Sequence, residues 1–254
     1  MLIIKNGTIV DPASGMEHAG DVVVENGKIV QLGGSFAGTV SDSDEVIDAQ
    51  GLVVAPGLID THVHFRDPGY TYKEDICTGA HAAAAGGFTT VVCMANTNPV
   101  ADNEETVSYI VKKAQKTNIH VLTAAAVTKG LKGKELVDFD KLYECGAVGF
   151  TDDGIPLKDA ALLEEAMMQA ARLDVPISLH EEDASMIARP GVNAGKVADA
   201  LEYGGAPAES ESTMVERDCE LALKTRASVV IQHISAKKSV EAVRSCWRRG
   251  ARVH

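Results

Sequence analysis

A chain of 254 residues with 45% hydrophobic content and 23 glycines can bury one large core, and no stretch approaches the 18 uninterrupted apolar residues of a membrane span. A formal net charge of −12 argues against a nucleic-acid or anionic-membrane surface, which needs clustered Lys and Arg, so attraction for an anionic substrate must be local. The cysteines at 77, 93, 145, 219 and 246 lack CxxC spacing and fall in apolar or helical stretches, as expected of reduced thiols in a cytoplasmic protein.

The amino-terminal MLIIKNGTIVDP has too short an apolar run for a signal peptide and carries a strand-like pattern. Residues 1–55 read as a small β unit of short strands, LIIKNGTIVD, DVVVENGKIVQLGG and EVIDAQGLVVAPG, with Asn6-Gly7 and Asn26-Gly27 as hairpin signals. From Pro56 onward the character changes. Strand candidates PGLIDTHVHF, FTTVVCMA, IHVLTAAA, AVGFT, VPISLH and SVVIQHI alternate with helix candidates KEDICTGAHAAAAGG, NEETVSYIVKKAQK, DAALLEEAMMQAARL, TMVERDCELALKT and KKSVEAVRSCWRRG. This alternation predicts an α/β fold with a parallel sheet over residues 56–254. Six strand-then-helix units are expected, and ARVH opens a seventh strand. A closed (β/α)8 barrel needs eight strands, so the chain reads as an incomplete barrel; an open sheet of six or seven strands is the alternative.

Barrel enzymes carry their chemistry at the C-terminal strand ends. The first strand ends at His62-Val63-His64, and alternation along a strand sends both imidazoles to one side while Val63 faces the other. Arg66 follows. The second strand ends at MANTNP with Asn96, the fourth at Asp152-Asp153-Gly154, the fifth at His180-Glu181-Glu182 and the sixth at His233. Taken singly, each is a core histidine, a loop residue or a turn signal. Together they put half of the eight histidines and a carboxylate at one end of the sheet. Imidazoles with a carboxylate suit zinc or a similar borderline ion, and a carboxylate can bridge two ions where an imidazole cannot. Such a site activates water near neutral pH, which points to a one- or two-metal hydrolase. His18, His81 and His120 fit structural positions, and His254 lies at the chain end without context.

GLIDTHVHFRDPG, MANTNP, FTDDG, SLHEED and QHIS resemble, in order and spacing, the type I bacterial dihydroorotases of the amidohydrolase superfamily. The resemblance runs over the whole chain and implies that residues 1–55 are the N-terminal part of a composite β domain. It implies further that His62 and His64 bind one Zn2+, that His180 and His233 bind a second, and that Asp153 bridges them, with Asp152 as a substitute. Arg66 and Asn96 would hold the substrate carboxylate, a role suited to the planar fork of an arginine. The activity implied is reversible cyclisation of N-carbamoyl-L-aspartate to L-dihydroorotate in pyrimidine biosynthesis. The family's catalytic aspartate would lie beyond residue 254. Dihydropyrimidinases, hydantoinases and allantoinases share the overall pattern but bridge with a carboxylated lysine, and GAVGFTDDG contains none. A non-catalytic partner of aspartate transcarbamoylase is a further alternative. The resemblance also implies a homodimer or an aspartate transcarbamoylase complex.

Overall fold

The computed structural model describes residues 1–254, which divide into two units, Met1–Leu58 and Ile59–His254. In the first, β1 (Leu2–Asp11), β2 (Met16–Glu25), β3 (Lys28–Leu32) and β4 (Glu45–Asp48) form a sheet in the order β3-β2-β1-β4, and β5 (Val53–Val54) also pairs with β1. Ile3, Ile9, Val22 and Val23 on β1 and β2 are buried.

The two Asn-Gly pairs behave differently. Asn26 and Gly27 both have positive φ, 51° and 73°, and turn β2 tightly into β3, as a hairpin whose turn twist matches its strands requires. Asn6-Gly7 does not turn the chain as expected. β1 runs straight through it, with a register shift against β2 between Ile4 and Gly7. Asn6 takes φ 64°, its N–H donates to Asp21 Oδ1 at 2.9 Å, and its side-chain amide donates to Asp48 Oδ1 at 3.0 Å. Two carboxylates thus satisfy a left-handed Asn inside the strand, and the pair becomes a bulge.

The second unit is built on β6 (Leu58–Val63, from Ile59 on), α1 (Ile76–Ala85), β7 (Phe88–Cys93), α2 (Glu104–Ala114), β8 (His120–Ala125), α3 (Phe139–Glu144) and β9 (Ala147–Thr151). It continues with α4 (Ala160–Leu173), β10 (Ile177–Leu179), α5 (Lys196–Ala200), α6 (Glu209–Thr225), β11 (Ser228–Ile231), α7 (Lys237–Arg248) and β12 (Arg252–Val253). The seven strands from β6 to β12 lie in chain order, and the pairs from β7 to β12 are parallel. This is the winding of a (β/α) barrel, here an arc with β6 and β12 at its edges. Val91, Phe150, Ile177 and Val229 from the strands pack with Ile110, Leu163 and Met167 from the helices; burying each such side chain contributes roughly 2 kcal/mol.

Side-chain caps decide where the helices begin. Asp75 accepts from the N–H of Cys77 and Thr78, so α1 starts inside its candidate stretch, and Asn103, Asp138 and Asp159 do the same for α2, α3 and α4. α3 was not anticipated, because six residues are too few to display a helical period; it forms around buried Phe139 and Leu142. α6 begins at Glu209, earlier than the run from Thr213. No helix is long and apolar enough to cross a membrane.

Candidate metal centre

At the end of β6, alternation brings His62 and His64 to one side, with their Nε2 atoms 3.2 Å apart. Asp153, just past β9, places Oδ1 3.4 Å from His62 Nε2 and Oδ2 3.5 Å from His64 Nε2. The same Oδ1 lies 3.8 Å from His180 Nδ1, past β10, which in turn lies 2.8 Å from His233 Nε2, past β11. Two groups that could hold a metal ion result, His62–His64–Asp153 and Asp153–His180–His233, with the aspartate common to both.

The separations suit an ion. Two donors each ~2.1 Å from a tetrahedral centre lie roughly 3.4 Å apart. Two imidazole nitrogens facing each other at 3.2 or 2.8 Å repel through their lone pairs unless a proton or a cation lies between them. Burial pushes the His62 imidazolium down from the ordinary histidine value, and the His64 and His233 imidazoles add to this while Asp153 opposes it. Burial, then His233, pushes His180 down as well. Both shifts favour the neutral ring, the form in which an imidazole ligates a metal.

Asp152 and Asp153 diverge. Asp152 Oδ1 accepts from the N–H of Val127 at 2.8 Å and of Thr128 at 3.0 Å, and Oδ2 accepts from the Thr128 hydroxyl, so its carboxylate anchors the chain beyond β8 and belongs to neither group. Burial raises its pKa, with those hydrogen bonds opposing.

Asn96, past β7, sits beside the first group. Its Nδ2 donates to Asp153 Oδ2 at 2.8 Å, and its Oδ1 accepts from His64 Nδ1 at 3.0 Å and from Arg66 Nη1 at 3.4 Å. Because the amide oxygen can only accept, the His64 proton resides on Nδ1 and Nε2 is left bare. This orienting contact is an addition to the substrate role expected of Asn96. The loops bearing Arg66 and Asn96 are locked together: Asn98 N donates to the Pro68 carbonyl at 3.1 Å, and a Cβ on Gly69 would come within 2.0 Å of the Asn98 carbonyl. Behind Arg66, buried Asp67 accepts from Tyr109 Oη at 2.9 Å, Ile76 N at 3.2 Å and the Lys113 ammonium.

His18, His81, His120 and His254 lie in neither group. A cavity of about 460 Å³ opens beside His180 and His233, lined also by Glu182, Asn193 and Lys237, so the segment from 181 to 212 borders the second pair. Two residues inside the quoted motifs, Gln232 in QHIS and Glu181 in SLHEED, take supporting places that the sequence reading assigned to neither. Gln232 Nε2 donates to Thr151 Oγ1 at 3.2 Å and Ser178 Oγ at 3.1 Å, tying β9 and β10 to the end of β11. Glu181, buried next to His180, is pushed up to about 10 by desolvation and by the nearby Asp218 carboxylate, with Arg217 opposing.

A family described as Dihydro-orotase-like matches residues 51–239. The dihydroorotase of Clostridioides difficile (strain 630) is 55% identical over 256 residues, covering 100% of this chain and 60% of that protein. The dihydroorotase of Clostridium acetobutylicum is 49% identical over 253 residues, covering 100% of this chain and 59% of that one. The chain thus spans about 60% of the length of these curated relatives. Among solved structures, an L-hydantoinase from Arthrobacter aurescens superposes with a TM-score of 0.80 at 22% identity, over 100% of this chain and 57% of that one, a likeness of fold alone. A D-hydantoinase gives 0.75 at 25% identity, over 99% and 56%. All five candidate ligands, from His62 to His233, fall inside the matched segment, and with it the chain belongs to the dihydro-orotase-like family.

Proposed function

We propose that the protein is a zinc-dependent dihydroorotase, interconverting N-carbamoyl-L-aspartate and L-dihydroorotate in pyrimidine biosynthesis. The observation that carries this reading is a single aspartate shared by two histidine pairs, with Arg66 hydrogen-bonded to the same Asn96 that donates to it and no lysine in the GAVGFTDDG stretch that supplies it. The relatives named dihydroorotase support it.

A bound divalent ion supplies the Lewis acidity that activates water and polarises a carbonyl. The chain's own residues do the rest. His62, His64, Asp153, His180 and His233 would hold the ions, and the Asn96 amide fixes the tautomer of His64 and the orientation of Asp153. Arg66 offers its guanidinium fork to the substrate carboxylate and offsets the repulsion that an anion meets from a chain of net charge −12. With that carboxylate held, one ring carbonyl would be oriented toward Asp153 and the histidines, which would remove most of the orientational cost of the reaction. The chain spans about 60% of the length of its curated relatives, and the acid–base aspartate implied by the resemblance would fall in the remainder, so the assay uses the full protein. A cytoplasmic setting belongs to the same reading, supported by five free cysteines.

The test is hydrolysis of L-dihydroorotate by the full protein, before and after removal of metal by a chelator. Turnover that disappears on chelation and returns with Zn2+ is expected. Turnover of 5,6-dihydrouracil or hydantoin in place of dihydroorotate would overturn the reading in favour of another cyclic amidohydrolase.

A further inference from the structure

α6 reaches the chain just beyond Asp153, His180 and His233, and does so from its first half. Arg217 Nη2 donates to the Leu157 carbonyl at 2.8 Å and Nη1 to the Lys158 carbonyl at 3.1 Å, both on the loop that follows Asp153. Its Nε donates to Asp218 Oδ1 at 2.6 Å, and Nη2 stands 3.9 Å from Glu181 Oε2, on the residue after His180. The Ser210 carbonyl accepts from Asp183 N at 2.8 Å, holding the same loop one step further on. Glu211 accepts from Ser235 N at 2.9 Å, Ser235 Oγ at 2.8 Å and Ala236 N at 3.0 Å, on the loop that follows His233. None of these contacts touches His62 or His64.

The arrangement around Arg217 is costly. Glu181 and Asp218 are 3% and 0% exposed, and both oxygens of Glu181 and Oδ2 of Asp218 have no hydrogen-bond partner. Replacing a buried charged cluster of this kind by apolar side chains is often neutral or stabilising, so its worth is not chiefly in stability. Its geometric effect is specific. One planar guanidinium, with donors in a rigid fork, ties α6 to the loop after Asp153, the Ser210 carbonyl ties it to the chain after His180, and six residues before Arg217 the Glu211 carboxylate ties it to the chain after His233.

We infer that Arg217 and Glu211 are positioning residues that set His180 and His233 against Asp153, so that α6 governs loading of the second ion and not of the first. The inference rests on the reading of the five residues as metal ligands. It assigns α6 a job that no ligand residue performs: it converts three separate strand ends into one donor set.

The test strips the full protein of metal and titrates it with Co2+, following the visible ligand-field bands together with cobalt content. The parent is expected to take up two ions per chain, and the variant lacking both His180 and His233 only one, which identifies the second. Arg217→Met and Glu211→Gln are expected to keep one ion at the parent affinity and to bind the other at least about tenfold more weakly, in line with the cost of losing an outer-shell partner. Arg217→Lys gives no rescue, since one ammonium cannot serve both carbonyls in the same plane. Lys224→Met, at the far end of α6 where the side chain pairs with Glu164, keeps both ions and controls for general weakening of the helix. Glu211→Gln retains size but replaces one accepting oxygen by an NH2 that cannot accept from Ser235 or Ala236, and it decides the matter if Arg217→Met does not fold. Unchanged binding of both ions, or equal weakening of both, overturns the inference. If the parent takes up a single ion, the two-ion reading fails on its own account; an affinity for that ion unaltered by Arg217→Met and Glu211→Gln then sinks the role of α6 as well, and a tenfold loss sustains it. No uptake by the parent ends both.

Discussion

The two histidine pairs that share Asp153 are made in different ways. His62 and His64 are alternate residues of one extended segment, and the pleat alone turns them to the same side. His180 and His233 come from different strands, 53 residues apart in sequence, and meet only because β10 and β11 are paired in register and their loops are held by α6 and Gln232. The first pair is a local property of the chain and the second is a property of the packed sheet. A metal centre assembled from both inherits the sturdiness of one and the fragility of the other.

Removing the shared member is the most damaging way to probe this difference. Asp153→Ala takes an oxygen from both groups, and metal content is expected to fall for both ions, with activity of the full protein reduced by at least about a hundredfold, the upper end of what losing even an outer-shell partner costs. Retention of one ion at full affinity would show that the groups are independent and that Asp153 serves only one. Arg66→Met should leave both pairs intact and act on substrate alone: the KM for dihydroorotate rises roughly ten- to a hundredfold, the worth of a hydrogen bond to a charged group, with metal content unchanged. An unchanged KM removes Arg66 from the substrate site.

Asp152→Ala sharpens the contrast with its neighbour. It strands the Val127 and Thr128 donors in a buried setting and should cost about 3 kcal/mol of stability, read by denaturant unfolding, while the number of ions bound stays the same. Loss of an ion with little loss of stability would reverse the assignment of the two aspartates. The smallest effect concerns pH. His62 and His180 have folded-state pKa values below the ordinary imidazole value, so between the two values the unfolded chain binds more protons than the folded one. The metal-free protein is therefore fully stable above the ordinary value, near 6.5, and loses stability as pH falls below it until the depressed values are passed. Thermal unfolding after chelation measures this. A His62→Asn variant should reduce the slope, and an unaltered slope would mean that the pair contributes nothing to it.

Much of the candidate site was legible because its chemistry sits where the chain's periodicity changes. The alternation of strands with helices shows which end of the sheet carries the loops, and all five candidate ligands lie at such ends. Legibility stopped where two local solutions cost nearly the same. Asn6-Gly7 and Asn26-Gly27 are the same dipeptide, yet only the second has free ends on either side to fold back; the first is claimed by Asp21 and Asp48, which no local pattern announces. α3 is too short for its period to be seen, and the double use of Asn96, on His64 and on Asp153, depends on a loop contact across 57 residues.

The sequence by itself determined the parallel α/β order, the pairing of His62 with His64 and the supply of donors at the strand ends, because alternation and helical period are properties of neighbouring residues. The tertiary structure alone decided which of two adjacent aspartates faces the histidines, how His180 meets His233, and that one helix braces the loops beyond Asp153, His180 and His233. Those outcomes depend on which buried donors and acceptors find each other across dozens of residues, and an unsatisfied group in a packed interior costs enough to select one arrangement.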